Sequence, residues 1–136
     1  MESELTSKAL LVSLPLPAIA ANVDYSFPEF ENWSVVGGIF VLSCDANAAN
    51  RNARIQLYTA DTLIYEQAGL ASATAGQSWT YVMLGYVAPF TSYEDRIFIN
   101  LPTFPPAYKL RLKTRFVNLQ AGDRFTAINL VCQRGE

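Results

Sequence analysis

The side chains with reactive chemistry are few, and their types restrict what the chain can do. Histidine is absent, which removes the commonest general base and the commonest metal ligand together. Ser-His-Asp hydrolysis, Cys-His chemistry and histidine zinc sites cannot be built here. Paired carboxylates hydrolyse glycosides without histidine, and the acids available for that are Asp24, Glu29, Glu31, Asp45, Asp61, Glu66, Glu94, Asp95 and Asp123. Almost all fall in segments that read as loops, and no spacing pairs two of them across a cleft. No catalytic residue is therefore assigned. Asp45-x-Asn47-x-x-Asn50 has half of a calcium loop but lacks the glycine at the sixth position and the glutamate at the twelfth, so it reads as a turn capped by its own side chains. No metal site follows. There is no Walker or dinucleotide glycine pattern, so no cofactor is assigned either.

The strongest local feature is cationic. Lys109, Arg111, Lys113 and Arg115 alternate with Leu110, Leu112, Thr114 and Phe116, so a strand here carries cations on one face and an apolar stripe on the other. Such a row is a solvated outer face, or an edge guarded by charge; it is also a contact surface for an acidic partner. Aromatics form a second set. Trp33, Trp79, Tyr81, Tyr86, Phe90 and Tyr93 have the composition of a sugar-binding platform, although aromatics in strands mostly pack in cores. Tyr86, Phe90, Tyr93 and Phe104 sit toward strand ends, where exposed apolar groups mark a protein interface.

The elements that must position these groups are strands. Apolar residues recur at period two or in short runs, separated by Gly, Pro, Asn and Asp clusters. Strands are expected at Lys8 to Leu14, Trp33 to Cys44, Asn52 to Thr59, Thr62 to Glu66, Ser78 to Val87, Arg96 to Leu101, Tyr108 to Val117 and Arg124 to Gln133. The second is apolar on both faces from Ile39 to Leu42 and should be central, with Gly37-Gly38 marking a bulge or a close backbone approach. In Asn52 to Thr59, Ile55 and Leu57 should face inward and Arg54 and Gln56 outward. Ala60-Asp61 reads as a turn, 67–77 as an exposed, mobile loop, and 118–123 as a tight turn. Pro15, Pro17 and Pro28 make residues 1–32 an extended arm, with 33–136 as the folded domain. The fold class is all-β, an antiparallel two-sheet sandwich of jelly-roll or related Greek-key type, with an extended N-terminal arm.

Composition bounds the class of partner. The chain has 136 residues, 51% hydrophobic, with 10 Lys plus Arg against 12 Asp plus Glu and a net charge of -2. That length fits one domain, and the charge balance argues against free nucleic acid as partner. Cys44 and Cys132 each sit in an apolar run and read as buried free thiols; a disulfide would need an oxidising compartment and two strands side by side. The apolar stretch from Ala9 to Val23 is not expected to be a secretory leader, because Glu2 and Glu4 precede it and Pro15 and Pro17 interrupt it. No membrane span is expected.

Leu101-Pro102, Tyr108-Lys109-Leu110-Arg111-Leu112-Lys113 and Asn118-Leu119-Gln120-Ala121-Gly122-Asp123-Arg124 resemble the closing part of small β-sandwich proteins of tailed bacteriophages. The loop Asp45-Ala46-Asn47-Ala48-Ala49-Asn50-Arg51 is similar too. Over residues 33–133 the chain resembles the jelly-roll cement proteins that decorate capsids of short-tailed phages. The resemblance implies a non-enzymatic virion protein on the capsid exterior, assembled in the host cytoplasm, that binds the major capsid protein and clamps its subunits. A lattice site favours a homo-oligomer, most simply a dimer. The alternative is a tail- or fibre-associated sandwich that binds a host-surface glycan. Glu2, Glu4, Asp24, Glu29 and Glu31 against Lys8 make the arm acidic, so acidic arms and basic strand faces are expected to meet across subunit boundaries.

Overall fold

A computed structural model describes residues 9–69, 72–85 and 92–135, with only the backbone of Ser92 and Tyr93. The strands are β1 (Ala9–Ser13), β2 (Asp24–Ser26), β3 (Trp33–Ser43), β4 (Asn52–Thr59), β5 (Thr62–Ala68), β6 (Ser78–Leu84), β7 (Ser92–Tyr93), β8 (Arg96–Asn100), β9 (Leu110–Val117) and β10 (Arg124–Arg134). They form a six-stranded sheet, β1-β10-β3-β6-β8-β7, and a four-stranded sheet, β2-β9-β4-β5. The two sheets pack as an all-β sandwich.

The pairing is nested. β1 runs antiparallel to β10, β2 to β9, β3 to β6 and β4 to β5. The chain is therefore a long antiparallel ribbon folded back at the β4–β5 hairpin and rolled so that alternate pairs fall in different sheets. That arrangement is compatible with a jelly roll. β8 adds parallel to β6, and the two-residue β7 adds to β8, widening one sheet beyond the nested pairs. Ala60 and Asp61, at the fold-back, take φ of 50° and 65°, the paired positive values that a two-residue type I′ hairpin requires.

Gly37-Gly38 does what its position in a strand suggests. The register of β3 on β10 shifts between Val131 and Cys132, and Gly38 has φ of 148°. A Cβ there would lie 2.6 Å from the Asn129 carbonyl oxygen, so only glycine lets the two strands approach.

Three expectations change. Residues 9–32 are part of the sandwich, not an arm beside it: β1 and β2 form one edge of each sheet, and Leu14, Val23 and Phe27 are buried. The Asn22 side-chain oxygen accepts the Phe116 amide at 2.9 Å, and the Val23 amide donates to Thr114 Oγ1 at 2.8 Å. Pro15 and Pro17 lie in the stretch that crosses from one sheet to the other, where no ladder partner is needed. The loop expected over 67–77 is partly bound: Gln67 and Ala68 extend β5, and buried Ala73 exchanges backbone hydrogen bonds with Arg51 at 2.9 and 3.0 Å. Gln56 keeps 9% exposure and donates to Glu66 at 2.7 Å, so its neighbours cover it.

The core is aromatic at its centre. Phe40 stacks on Tyr81 at 4.8 Å, and Phe116 meets Tyr81 edge-on at 5.5 Å. Leu42, Ile55, Leu57, Ile97, Ile99 and Leu130 complete it, all fully buried. Cys44 and Cys132 are buried free thiols, and burial pushes both up to about 11.

One end of the sandwich is closed by buried charge. The fully buried Arg51 donates from Nε to Asp123 Oδ2 at 2.9 Å and from Nη2 to Asp123 Oδ1 at 3.1 Å and Asp45 Oδ1 at 2.9 Å. Its Nη1 donates to the Ala49 carbonyl at 2.8 Å. Asp123 also accepts the amides of Asp45 at 2.8 Å and Gln120 at 2.9 Å. Asp45 caps its own turn by accepting the Asn47 amide at 3.0 Å and reaches the Gly122 amide at 2.9 Å, as the short polar motif suggests. Burial opposes ionisation of Asp123, yet the hydrogen bonds from Arg51, Gln120 and Asp45 outweigh it and hold the carboxyl below its ordinary value.

Two outcomes follow. A carboxyl depressed in the folded state stabilises the fold above its unfolded value near about 4, and that stability is lost as pH falls through the lower folded value. Asp123→Asn should cost about 3 kcal/mol near neutral pH, since it leaves a buried guanidinium undercompensated, and should flatten the acid limb in urea titrations run from pH 7 to pH 2. The Tyr81 hydroxyl is buried without a hydrogen-bond partner among the described residues, so Tyr81→Phe should leave the urea midpoint unchanged or raise stability by up to about 1 kcal/mol.

Candidate functional site

The cationic row is displayed by β9. Leu110, Leu112, Thr114 and Phe116 are all buried, which turns Arg111, Lys113 and Arg115 outward from the four-stranded sheet. Lys109 leaves the row. It precedes the strand with φ of 55°, its carbonyl accepts the Ala60 amide at 3.3 Å, and its ammonium lies 3.7 Å from Glu29. The cations are not equally free. Arg111 makes a two-pronged contact with Asp24 at 2.7 and 2.6 Å and has Asp61 at 3.9 Å. Its hydrogen bond holds the Asp24 carboxyl below the ordinary value, against a smaller opposing effect of burial, with Lys113 adding a further pull. Lys113 sits over the Tyr58 ring at 5.6 Å.

Arg115 stands apart. Its cross-strand neighbour is Arg54, whose own acid, Glu66, is 3.8 Å away. Among the described residues no carboxylate lies within ion-pair reach of Arg115. One end of the row is thus neutralised by the chain's own N-terminal segment, and the other end keeps its charge. Asp24 with Arg111, Glu29 with Lys109 and Glu31 with Arg134 are all pairs within one chain. The meeting of acidic arm and basic strand expected between subunits occurs inside the subunit. Ser26, Phe27, Glu29, Asp61, Lys109 and Arg111 line an open cavity of about 260 Å³ there, with both charge signs in its wall.

The aromatic candidates do not assemble into one site. Tyr86 and Phe90 lie outside the described residues, and Tyr93 is described only as backbone in β7. Phe104 is half-buried against Tyr65 at 5.2 Å between ring centres, and the Tyr65 hydroxyl donates to the Asn100 carbonyl at 2.7 Å. Trp33 packs on Phe27 at 5.6 Å and donates its indole N–H to Glu31 at 2.9 Å; Trp79 donates to the Thr74 carbonyl at 3.1 Å. Both indoles pack against the core and form no open platform. Asp45 and Asp123 are brought together, but Arg51 and backbone amides occupy them. No cluster of metal-ligating side chains occurs among the described residues.

The face that sequence reasoning missed lies on the other sheet. Register rows Leu11, Val131, Gly37 and Ser13, Asn129, Ile39, Val82 cross four strands on its outer side. Val41 lies beside Ala127 and Thr80 on the same side. These positions are apolar or uncharged throughout; Ile39 is 37% exposed and Leu11 73%. The sequence signal was the apolar run itself, because Ile39 to Leu42 reads the same whether one face of its sheet or both are covered. One sheet therefore presents charge outward, and the other presents an uncharged face of aliphatic and polar side chains.

The chain matches no protein family, no curated protein and no solved structure. The contrast between the two faces is thus the guide to function.

Arg115→Glu separates the two ends of the row. It removes a like-charge pair with Arg54 and should raise stability by about 0.5 kcal/mol in urea unfolding. It should also weaken binding to an acidic partner more than Arg111→Glu does, and the difference should shrink at high salt, as read by titration at two ionic strengths.

Proposed function

We propose that the chain is a structural protein of a phage particle, bound to the outside of the capsid, where it stabilises contacts between major capsid protein subunits. The observation that carries this reading is the uncharged outer face of the six-stranded sheet, where Leu11 and Ile39 are exposed, set opposite a face on the four-stranded sheet that carries Arg111, Lys113 and Arg115. Exposed aliphatic side chains on a sheet face without charge are the kind of surface that protein partners cover. The sandwich suits a clamp because its strands are cross-tied: the N-terminal segment is stitched to β9 and one end is locked by Arg51 and Asp123. A body with few independently moving parts transmits load between the subunits it touches. The resemblance of residues 33–133 to cement proteins supports the same reading.

In this reading no cofactor takes part, and the aliphatic face and Arg115 are the groups that touch the capsid. Particles purified after infection should hold hundreds of copies by quantitative mass spectrometry, and particles lacking the chain should release DNA at a lower temperature. A few copies per particle would place the chain on the tail or a fibre instead, and none would remove it from the virion.

A further inference from the structure

The six-stranded sheet ends at β1, and that edge is built unlike the other three. β2 is three residues long and holds Asp24; β7 has two residues; β5 carries Glu66. Short length and inward or edge charge are the devices that keep sheet edges from pairing with other chains. β1 has neither. Its sequence is Ala-Leu-Leu-Val-Ser, without charge, and all but Val12 are exposed. No charged residue occurs from Ala9 through Val23.

The hydrogen-bond phase of the edge follows from one contact. The Leu14 amide donates to the Ile128 carbonyl at 3.0 Å, which makes Leu14 and Ile128 a hydrogen-bonded pair of the antiparallel ladder. Alternation then directs the backbone groups of Leu10 and Val12 toward β10 and those of Ala9, Leu11 and Ser13 away from it. Among the described residues nothing pairs with the backbone donors and acceptors of those three. They are evenly spaced about Leu11, so an antiparallel strand with the same spacing satisfies all of them when Leu11 faces its own counterpart and Ala9 faces Ser13. Leu11 is the more exposed of the two β1 leucines, at 73% against 42% for Leu10. It lies on the outer face beside Val131, so a second Leu11 would extend that apolar strip.

We infer that β1 pairs antiparallel with β1 of a second copy about a two-fold axis at Leu11, joining two six-stranded sheets into one continuous twelve-stranded sheet. The occupant is a second copy because the edge supplies its own complement: matching hydrogen-bond phase, a shared centre and no like charge within the paired segment. Twofold symmetry also doubles the aliphatic outer face into one flat surface. This pairing stands independently of the capsid reading, since it needs only the chain itself.

Sedimentation equilibrium of the full chain at tens of micromolar should give a dimer. Leu11→Lys should weaken dimerisation by about 100-fold, because it places two ammonium groups at the axis, while its far-ultraviolet spectrum stays as in the parent and its thermal midpoint matches the parent's once both are diluted to monomers. Leu11→Cys supplies the geometric test. Residues facing each other in a hydrogen-bonded antiparallel pair have Cα atoms about 5.5 Å apart, within the range a disulfide spans. Mild oxidation should convert that variant to a covalent dimer, whereas the parent, with Cys44 and Cys132 buried, should not cross-link. A monomeric parent would overturn the inference. So would a dimer that Leu11→Lys leaves intact or that Leu11→Cys fails to lock, since the two copies would then meet elsewhere. Cross-linking of Leu11→Cys to a capsid subunit in place of its own copy would likewise overturn it and assign the edge to that partner.

Discussion

A guanidinium with no solvent exposure is the constraint around which one end of this sandwich is arranged. Removing Arg51 from water costs several kcal/mol unless its donors are matched, and the chain matches them with two carboxylates and a carbonyl. The carboxylates must then be held still, and Asp123 is held by amides from both loops it touches. Its backbone carbonyl accepts the Ala20 amide at 2.7 Å, so the crossing between β1 and β2 is fastened to the same point. Arg51 in turn holds Ala73 through its own backbone. Four connecting segments share one charge pair. Because only one arrangement satisfies all of these groups, the connections are fixed in direction as well as position, and the strands that leave them are aimed accordingly.

The distribution of the remaining charge divides the molecule. Sheet residues on the four-stranded side carry Arg54, Glu66, Arg111, Lys113 and Arg115 outward, whereas the six-stranded side confines charge to strand ends such as Arg96, Arg124 and Arg134. Asp24, Glu29 and Glu31 are placed where they meet Arg111, Lys109 and Arg134 of their own chain. Exposed pairs of this kind contribute little stability, and their larger effect is to leave Arg115 as the unscreened end of the row. An uncharged face and, across the body from it, an Arg115 with no carboxylate partner among the described residues give a partner two different handles.

The strands were legible because their side chains alternate over seven or more residues: Asn52 to Thr59 and the β9 row carry their faces in plain view, and Gly37-Gly38 announced a close approach. What stayed hidden depended on contacts distant in sequence. Arg51 sits among Asn and Ala residues that read as a solvated loop, and nothing near it points to an acid 72 residues later. β2 was missed because three residues between Pro17 and Pro28 are too few to display alternation, although Val23, Tyr25 and Phe27 do lie at period two. The apolar outer face was invisible for another reason. An apolar run states that a residue avoids water and not which neighbour covers it.

The nesting of β1 with β10, β2 with β9 and β3 with β6 has a consequence for how the chain reaches this state. Among the described residues the first strand pairs within its own chain with β10 alone, so it cannot be seated until β10 has been made. During synthesis the uncharged β1 and the apolar β3 leave the ribosome well before β10 arrives to separate them. Loop closure over such spans is slow, and the β4–β5 hairpin, whose two residues of positive φ preset its turn, is the one local place from which the ribbon can begin to zip. Pairing that starts in the middle of the ribbon would then be completed by its first and last strands.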